Sequence, residues 1–302
     1  MTEQTKRRLG FIGLGVMGGP MSANLLKKSG LALTVYDLDA AKAEPLVNLG
    51  AELAHDLGEL AAAADVVFCS LPAAEHVKSV VLGEDGLLAN GRPGQIIVDM
   101  STSPVELAGE LATALREKGI SFVDAPVARG RQAAIDGTLA VMVGCDRTEL
   151  FEELTPLFDC MATEVSLCGP TGAGALIKLL NNMIVFETVV ALAEAITIVR
   201  HSGIVDVGVA FDVLAGGSAA SFALENHGKK ALVPDEHPTA AFSSRYMAKD
   251  LGYALDYARS LGVELPAAGL AHDLLEATIA AGNGERYHTS VVRVIDPETA
   301  TD

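Results

Sequence analysis

The first half of this sequence alternates short apolar runs with helical stretches, and this alternation restricts the possible folds more than any other feature. The apolar runs are nearly continuous, as expected for strands of a parallel sheet that is covered on both faces. The pattern therefore predicts an α/β fold with a doubly wound parallel sheet of Rossmann type, whose ligands lie beyond the carboxyl ends of the strands. The predicted strands are 9–12, 33–36, 66–70, 96–99, 122–124, 139–143 and 164–167, and the predicted helices are 17–29, 40–49, 73–81 and 104–118.

A glycine-rich turn joins the first predicted strand to the first predicted helix, with the sequence Gly13-Leu14-Gly15-Val16-Met17-Gly18. Glycines at this spacing allow a tight turn, close approach of the backbone to a pyrophosphate, and packing of the helix on the strand. The amides at the helix N-terminus add partial positive charge for the phosphates. A glycine turn that only shortens the connection is the alternative, but the strand–turn–helix context favours a dinucleotide site.

Asp37 ends the second predicted strand, 19 residues after Gly18. A carboxylate at this place accepts hydrogen bonds from the ribose hydroxyls of a dinucleotide. It also repels a 2′-phosphate, and the following residues, Leu38-Asp39-Ala40, include no arginine to hold one. NAD is therefore the predicted cofactor, and NADP is less favoured.

The strand pattern stops after Gly174, and the rest of the sequence is typical of helices with breaks near 203, 216, 234–238, 262 and 282–284. A chain of 302 residues fits two domains of ~150 residues each. We predict an NAD-binding Rossmann domain at 1–168 and an all-helical domain for substrate binding and oligomerisation at 169–302. Within the second domain, 169–200 is predicted to be a connecting helix.

A lysine, Lys178, occupies the apolar stripe of this connecting helix, just after a glycine-rich segment. Desolvation of such a lysine lowers its pKa toward neutrality, so that the side chain can exchange a proton near pH 7. Asn182 follows one helical turn later on the same face, with Asn181 beside it. An ammonium and a carboxamide that point together into a cleft suit a carbonyl or hydroxyl group. A lysine that extends its head group to solvent from the helix edge is the alternative.

The strand that ends at Asp124 continues into a loop of small residues with two arginines. Arginine binds carboxylates and sulfonates through paired hydrogen bonds, so the loop is a candidate clamp for an acid group. Arg129 lies nearer the strand end and is the preferred candidate, whereas Arg131 is equally well explained as surface charge that offsets Asp136 or Glu149. The predicted substrate-binding residues are Arg129, Ala128, Gly130, Asn181 and Ser101.

Charge and cysteine content argue against several other classes of protein. The formal net charge of −17 disfavours nucleic acid and anionic membrane surfaces as partners. The four cysteines show no CxxC pairing and no metal-type spacing with the histidines, so we expect reduced thiols and no metal site. No signal peptide is recognised, and the apolar helix carries Glu187 and Glu194. We therefore expect a cytoplasmic protein that does not span a membrane.

Four motifs in this order resemble the β-hydroxyacid dehydrogenase family, which includes 3-hydroxyisobutyrate dehydrogenase and tartronate semialdehyde reductase and is 6-phosphogluconate dehydrogenase-like. The resemblance covers Gly10 to about residue 292 and rests on the segments 13–25, 124–127, 169–182 and 249–251. It implies a Rossmann domain joined by one long helix to an all-helical domain, in a homodimer or homotetramer. It also implies that Lys178 is catalytic and that Asn182 contacts the substrate. The implied cofactor-binding residues are Gly13, Leu14, Gly15, Val16, Met17, Gly18, Asp37, Leu71, Pro72, Thr102 and Lys249.

The substrate loop departs from the family pattern. The family continues Asp-Ala-Pro-Val with Ser-Gly-Gly, which holds a carboxylate, whereas this chain continues with Ala128-Arg129-Gly130. The arginine is similar to that of sulfolactaldehyde reductase, where it meets a sulfonate. We therefore expect hydride transfer between NAD and a small 3-hydroxy acid or its semialdehyde, with Lys178 as general acid or base and Arg129 at a sulfonate or carboxylate.

Two alternatives to this dehydrogenase function remain. One is an imine reductase on the same scaffold, although relatives with that activity usually carry another residue in place of Lys178. The other is a non-catalytic dinucleotide-binding protein, for which the loss of Lys178 or Asn182 would be the mark. Both residues are present, and both alternatives are therefore disfavoured.

Overall fold

The computed structural model describes residues 7–239 and 241–298. Its internal contacts divide the chain into two compact units, Met1–Lys178 and Leu179–Asp302. The division falls inside one continuous helix, Ala173–Ser202, which corresponds to the predicted connecting helix at 169–200. Lys178 and Asn182 are therefore carried by the same helix but belong to different units.

The first unit contains a sheet that is mostly parallel, as the sequence predicts. Its strands are β1 (Leu9–Ile12), β2 (Leu33–Tyr36), β3 (Glu52–Leu53), β4 (Val66–Cys69), β5 (Ile96–Asp99), β6 (Ser121–Asp124), β7 (Val127–Ala128), β8 (Leu139–Gly144) and β9 (Ala162–Gly169). The order is β3-β2-β1-β4-β5-β6-β8-β7, with β9 paired to β8. The winding reverses between β1 and β4, and such a reversal leaves a crevice at the carboxyl ends of the two strands.

One part of the sheet differs from the predicted parallel arrangement. Asp124 at the end of β6 pairs antiparallel with Gly144, and Val127 on β7 pairs antiparallel with Val141 on β8. The segment 129–138 between β7 and β8 is shorter than the dozen or more residues that a parallel crossover requires. The chain therefore turns back on itself here, before β9 pairs with β8 in parallel.

Adjacent residues on the central strands enter two apolar cores on opposite faces of the sheet. Phe68 lies 6.1 Å from Phe11 and 6.2 Å from Phe158, measured between ring centroids, in the first core. Ile12 and Val67, the neighbours of Phe11 and Phe68 in sequence, are buried in the second core. Because both faces are covered, both sets of side chains must be apolar, which explains the continuous apolar runs in the sequence.

Helices cover both faces of this sheet. They are α1 (Gly18–Ser29), α2 (Glu44–Val47), α3 (Leu57–Ala63), α4 (Ala74–Leu82), α5 (Leu87–Asn90), α6 (Val105–Glu117), α7 (Gly130–Asp136), α8 (Thr148–Phe158) and the start of α9 (Ala173–Ser202). The sequence pattern predicts α1, α2, α4 and α6, and it misses the short β3 and β7 as well as α3, α5, α7 and α8. The predicted helix 40–49 is a 3₁₀ turn followed by α2, with Pro45 in the first turn of α2, where its missing N–H breaks no hydrogen bond.

The regular secondary structure of the second unit is helical among its described residues, apart from one isolated bridge between Ser243 and Tyr287. It contains the rest of α9, α10 (Val207–Ala215), α11 (Ser244–Ser260), α12 (Pro266–Thr278) and α13 (Val292–Ile295), with π-helical segments at Leu224–Leu232 and Ile279–Asn283. The predicted breaks near 203, 216, 234–238, 262 and 282–284 are confirmed, since each follows or interrupts one of these helices. Its core is built around Phe186, Phe211, Leu251 and Leu275, all of which are fully buried.

One face of α9 stays apolar and exposed in the single chain. Ile184 and Ile198 are 58% and 70% exposed, and Ala191 lies midway between them on the same face. By length and composition, α9 is the one helix among the described residues that could cross a membrane, a test that core helices of soluble proteins also pass.

Candidate active site

The glycine turn between β1 and α1 has the geometry that a dinucleotide needs. Gly13 has a φ of 88°, and a Cβ on it would lie 2.3 Å from the carbonyl oxygen of Ser70. A Cβ on Gly18 would lie 1.8 Å from the carbonyl oxygen of Gly13. A Cβ on Gly15, in contrast, would meet no described atom within 4 Å, so the backbone there faces open space. Two glycines thus permit the tight turn, and the third leaves room for a ligand to approach the backbone.

Asp37 lies at the carboxyl end of β2, next to this turn. Its carboxylate accepts hydrogen bonds from the N–H groups of Leu14 at 2.7 Å and Asp39 at 2.9 Å, and Lys42 Nζ lies 3.3 Å away. Burial alone raises the pKa of Asp37, but these N–H groups and the Lys42 ammonium hold it below its ordinary value. Asp37 is therefore ionised at neutral pH and oriented toward the turn. Lys42, which no sequence pattern singled out, partly neutralises it.

A small polar network, which the sequence does not predict, joins the ends of β4 and β5. The buried hydroxyl of Ser101 accepts a hydrogen bond from the N–H of Leu71 at 2.9 Å. Asp99 in turn accepts from the N–H of Ser101 and from the hydroxyl of Ser103, each at 2.9 Å. Ser101, predicted to bind substrate, thus holds two predicted cofactor segments together, with Pro72 and Thr102 next to it in sequence.

The residues at this sheet edge fit a dinucleotide. The open space over Gly15 would receive the pyrophosphate, and Asp37 would accept the ribose hydroxyls. The loops after β4 and β5, which carry Leu71 and Ser101, would flank the rest of the molecule. All of these groups belong to the first unit, and they gather at the carboxyl ends of adjacent parallel strands.

Asp124, at the carboxyl end of β6, is bonded to the start of α9. It is 3% exposed, and its two oxygens accept hydrogen bonds from the N–H groups of Gly172 at 2.7 Å and Ala175 at 2.8 Å. Burial raises the pKa of Asp124 to about 6 against the effect of these N–H groups, with a further contribution from neighbouring Asp99. Lys178, partly buried, lies on the same helix three residues after Ala175. The sequence marks Asp124 as a strand end and as the start of the segment 124–127 that carries the family resemblance, but it does not predict this link.

The predicted acid-group clamp is bonded to protein partners in this structure. Arg129 adopts a left-handed backbone with φ 85°, which is uncommon for a residue other than glycine. Its guanidinium lies 2.6 Å from Glu164 Oε1, and it donates to Thr163 Oγ1 at 2.9 Å and to the carbonyl of Thr138 at 3.0 Å. An acid group that binds Arg129 therefore has to compete with Glu164.

The residues on either side of Arg129 form the rest of the predicted loop. Ala128 is the last residue of β7, and Gly130 is the first residue of α7. Arg131 is exposed on that helix rather than in a loop. The sequence missed this short helix because its residues are small and polar and give no clear apolar periodicity.

In the second unit, a buried carboxylate joins two of the predicted site residues. Asp250, 1% exposed on α11, accepts a hydrogen bond from Asn182 Nδ2 at 2.6 Å and lies 2.8 Å from Lys249 Nζ. Asn181 Nδ2 donates to Asn182 Oδ1 at 3.0 Å. The Lys249 ammonium also lies 5.0 Å from the ring centroid of Tyr253, within range of a cation–π interaction. Asp250 thereby fixes the carboxamide of Asn182 through a hydrogen bond and forms an ion pair with the ammonium of Lys249.

Asp250 is a functional candidate that the sequence analysis did not select. It falls within the buried stripe of α11 that includes Met247, Leu251 and Ala254. A carboxylate in such a stripe is costly to bury unless it has partners, so its position in the helical pattern could have identified it.

The glycine turn lies at the crevice where the winding of the sheet reverses between β1 and β4, and a helical unit follows. This combination is typical of an NAD(P)-binding oxidoreductase of two units. Comparison with known proteins supports this class. Residues 8–169 match the NAD binding domain of 6-phosphogluconate dehydrogenase, and residues 172–295 match the family described as NAD-binding of NADP-dependent 3-hydroxyisobutyrate dehydrogenase.

Similar proteins match along almost their whole length. An NAD-dependent L-serine dehydrogenase of Pseudomonas aeruginosa is 35% identical over 296 residues, covering 96% of this chain and 98% of the relative. A 2-hydroxy-3-oxopropionate reductase of Escherichia coli is 34% identical over 290 residues, covering 96% and 97%. The solved structure of Mycobacterium tuberculosis 3-hydroxyisobutyrate dehydrogenase with L-serine has a TM-score of 0.86 at 30% identity, covering 97% of this chain and 100% of that one.

This chain therefore belongs to the β-hydroxyacid dehydrogenase family and is an NAD(P)-dependent enzyme that acts on the CH–OH group of small hydroxy acids. An imine reductase from Pseudomonas sp. is more distant, with a TM-score of 0.61 at 19% identity over 96% of this chain and 100% of that one. At that identity the likeness concerns the fold alone.

Proposed function

We propose that this enzyme uses NAD to interconvert a small 3-hydroxy acid and its semialdehyde. The observation that carries the proposal is Lys178 on α9, whose first turn is bonded to Asp124 at the sheet edge that also bears the glycine turn. NAD, when bound, supplies the nicotinamide carbon that accepts the hydride from the substrate carbinol carbon or returns it.

Lys178 acts as the general acid or base in this proposal. On oxidation, its amine takes the proton of the substrate hydroxyl as the carbonyl forms. On reduction, its ammonium returns a proton to the carbonyl oxygen. Asn182 orients that oxygen, and its carboxamide is held in one rotation by Asp250 and Asn181. The chain therefore contributes position and proton transfer.

Arg129 is proposed to bind the acid group of the substrate, which would then replace Glu164 as the partner of the guanidinium. A guanidinium forms paired hydrogen bonds with either a carboxylate or a sulfonate, so its chemistry leaves both classes open. The relatives named above act on, or were solved with, small carboxylic acids: L-serine and 2-hydroxy-3-oxopropionate. Carboxylate and sulfonate substrates must therefore be compared directly.

NAD is proposed over NADP because Asp37 is an ionised carboxylate next to the turn. A 2′-phosphate near it would be repelled, and Asp39 adds a second negative charge nearby in sequence. Lys42 offsets part of this repulsion, since it already pairs with Asp37 at 3.3 Å. We expect turnover with NADH to exceed turnover with NADPH.

The test is nicotinamide absorbance with the purified enzyme, using NADH or NADPH and a panel of acid aldehydes. The panel comprises sulfolactaldehyde, tartronate semialdehyde, methylmalonate semialdehyde and succinate semialdehyde. With the best substrate, Lys178→Ala should lower kcat by ~10²–10⁴-fold, the usual contribution of a general acid or base. Lys78→Ala is the matched control, since Lys78 is an exposed lysine paired with Glu110.

The outcomes separate the alternatives. Unchanged turnover in Lys178→Ala would remove the proposed mechanism. Reduction of cyclic imines together with silence on every aldehyde would indicate an imine reductase. NADH binding without turnover on any substrate would indicate a non-catalytic dinucleotide-binding protein. A preference for NADPH would contradict the role given to Asp37.

A homodimer or homotetramer is proposed, because the exposed apolar face of α9 requires cover in water. The protein is proposed to act in the cytoplasm, without nucleic-acid or membrane partners. Its net charge of −17 disfavours both of those partners.

A further inference from the structure

We infer that Asp124 is a positioning residue for Lys178, because its carboxylate anchors the first turn of α9 to the sheet edge that carries the cofactor turn. The inference rests on the proposed function in one respect only, namely that Lys178 is the proton-transfer group. The anchoring itself involves only residues of the first unit, 1–178.

The anchor acts as a cap at the start of α9. The first N–H groups of any α-helix lack partners within the helix and need an acceptor from elsewhere. Gly172, just before α9, has no side chain to provide one. The two oxygens of Asp124 instead accept from Gly172 at 2.7 Å and from Ala175 at 2.8 Å. A carboxylate is also the group that the partial positive charge of a helix N-terminus favours.

The Asp124 carboxylate is closely packed between the backbones of Gly144 and Gly174, which lie near it because neither residue has a side chain. A Cβ on Gly144 would lie 2.3 and 2.5 Å from the two carboxylate oxygens of Asp124. A Cβ on Gly174 would lie 2.2 Å from the carbonyl oxygen of Met142 and 2.9 Å from Asp124 Oδ2. The first turn of α9 therefore lies directly against β8 and the end of β6. The glycine-rich segment before Lys178 permits this close approach.

A displacement at the anchor would be transmitted to Lys178. The lysine follows Ala175 by three residues, which corresponds to ~4.5 Å along a helix axis. The cofactor turn and Asp124 follow strands of one hydrogen-bonded sheet. A proton-transfer group that is misplaced by ~1 Å can lose ~10²-fold in rate. Loosening of the anchor should therefore lower kcat before it alters cofactor binding.

Burying a charged carboxylate at this position costs free energy that an uncharged cap residue would not incur. Burial and the adjacent Asp99 both raise the pKa of Asp124. An asparagine has the same shape without the charge, but only one of its two terminal atoms accepts a hydrogen bond. Only the carboxylate accepts at both oxygens, and so only it holds Gly172 and Ala175 together.

The test compares Asp124→Asn with Asp146→Asn. The control residue, Asp146, also accepts a backbone N–H just before α9, from Thr171 at 3.0 Å, but it is exposed. For Asp124→Asn we expect kcat to fall ~10–100-fold and the KM for NADH to stay within about twofold, because the cofactor turn is untouched. Hydrogen exchange at the amides of residues 172–176 should become faster in this variant and stay unchanged in Asp146→Asn.

Equal kcat for Asp124→Asn and wild type, or unchanged amide exchange, would overturn the inference while leaving the proposed function intact. An inactive wild type across the whole panel would instead overturn the proposed function. The amide exchange would then still decide whether the anchor exists.

A measurement on the wild type covers the case in which Asp124→Asn does not fold. The amide resonances of Gly172 and Ala175 should shift with the carboxyl carbon resonance of Asp124, with a midpoint near its pKa of about 6. Asp99 raises the pKa of this carboxylate, and the Cys145 and Cys168 thiols also interact with it electrostatically. Burial raises the pKa of both thiols, so they stay protonated in this range. Amide resonances that do not follow the Asp124 carboxyl carbon would overturn the inference.

Discussion

At the scale of single residues, carboxylates in each of the two units hold the candidate functional groups of that unit in place. Asp37 holds the N–H of Leu14 in the glycine turn, and Asp99 holds Ser101. Asp124 holds the start of α9, and Asp250 holds Asn182. A buried carboxylate with several donors strongly favours one local geometry, because leaving a donor or the charge unpaired costs several kcal/mol.

Arg129 provides a prediction at this scale. The change Arg129→Gly removes the guanidinium and suits the φ of 85°, which glycine adopts without strain. If the guanidinium grips the acid group, the KM for the best substrate should rise ~10–100-fold, consistent with the loss of about 1.5–3 kcal/mol from a charged hydrogen bond. Glu164→Gln should lower the same KM, since it removes the competing carboxylate 2.6 Å from Arg129.

Steady-state kinetics on the two variants check this prediction, with Glu149→Gln as the control for an exposed glutamate on α8. The opposite directions of the two effects are the informative result. If Arg129→Gly leaves KM unchanged and only alters thermal stability, Arg129 has a structural role in tying β7 to Thr138 and Thr163.

At the scale of secondary-structure elements, successive turns of α9 have different structural roles. Its first turn is fixed by Asp124, its second carries Lys178, and its later turns contribute Phe186 to the core of the second unit. The face bearing Ile184, Ala191 and Ile198 remains open to solvent in the single chain. The two large residues, Ile184 and Ile198, are fourteen residues apart on this face with the small Ala191 between them. An exposed apolar face of this kind is typical of a surface that packs against another protein surface.

Self-association through this face is testable. We expect the wild type to be a dimer or larger by light scattering, and Ile184→Asp to shift the equilibrium toward the monomer, because it introduces a charge into an apolar interface. Ile204→Asp is the control, since Ile204 is 88% exposed but lies beyond the end of α9. A wild type that is monomeric at all concentrations, or an Ile184→Asp variant that keeps its mass, would contradict the predicted interface.

At the scale of the whole molecule, stability should depend on pH through buried histidines of the second unit. His227 is hydrogen-bonded to Tyr287, His237 to Thr289, and His288 is fully buried among aromatic rings. Burial lowers the pKa of His227 to about 4 and lowers those of His237 and His288 as well. An unfolded chain would bind protons at these positions near pH 6.5, while the folded chain resists them.

The sign of the effect follows from proton binding. Between pH 4 and 6.5 the unfolded state binds more protons at His227, so the free energy of unfolding rises with pH and is lost as pH falls through this window. The raised pKa of Asp124 acts in the opposite direction between about pH 4 and 6, since the folded state keeps that proton longer. The net pH dependence of the free energy of unfolding is the sum of these contributions, and replacing His227 isolates the contribution of that residue.

We predict that His227→Asn reduces the slope of unfolding free energy against pH by up to about 1.4 kcal/mol per pH unit between pH 6 and pH 5. Urea denaturation at several pH values measures this slope, and the comparison of slopes removes the constant cost of losing the Tyr287 contact. His76→Asn is the control, because His76 is exposed on α4. Equal slopes for His227→Asn and the wild type would contradict the prediction.

The sequence by itself determined the features that depend on neighbouring residues. Uninterrupted apolar runs indicated the strands, because a strand buried on both faces cannot alternate with polar residues. Glycine spacing indicated the turn after β1, because only glycine relieves the contact with Ser70. The four-residue spacing indicated that Lys178 and Asn182 share a helix face, because that spacing is one turn.

Only the tertiary structure decided which groups meet over long distances in sequence. Asp124 bonds Gly172 across 48 positions, and Asn182 bonds Asp250 across 68. Arg129 pairs with Glu164 because β7 turns back along β8, which a local pattern of small residues does not reveal. A side chain's local conformation is restricted by sterics within a few residues, whereas its hydrogen-bond partner depends on strand order and register, to which the whole chain contributes.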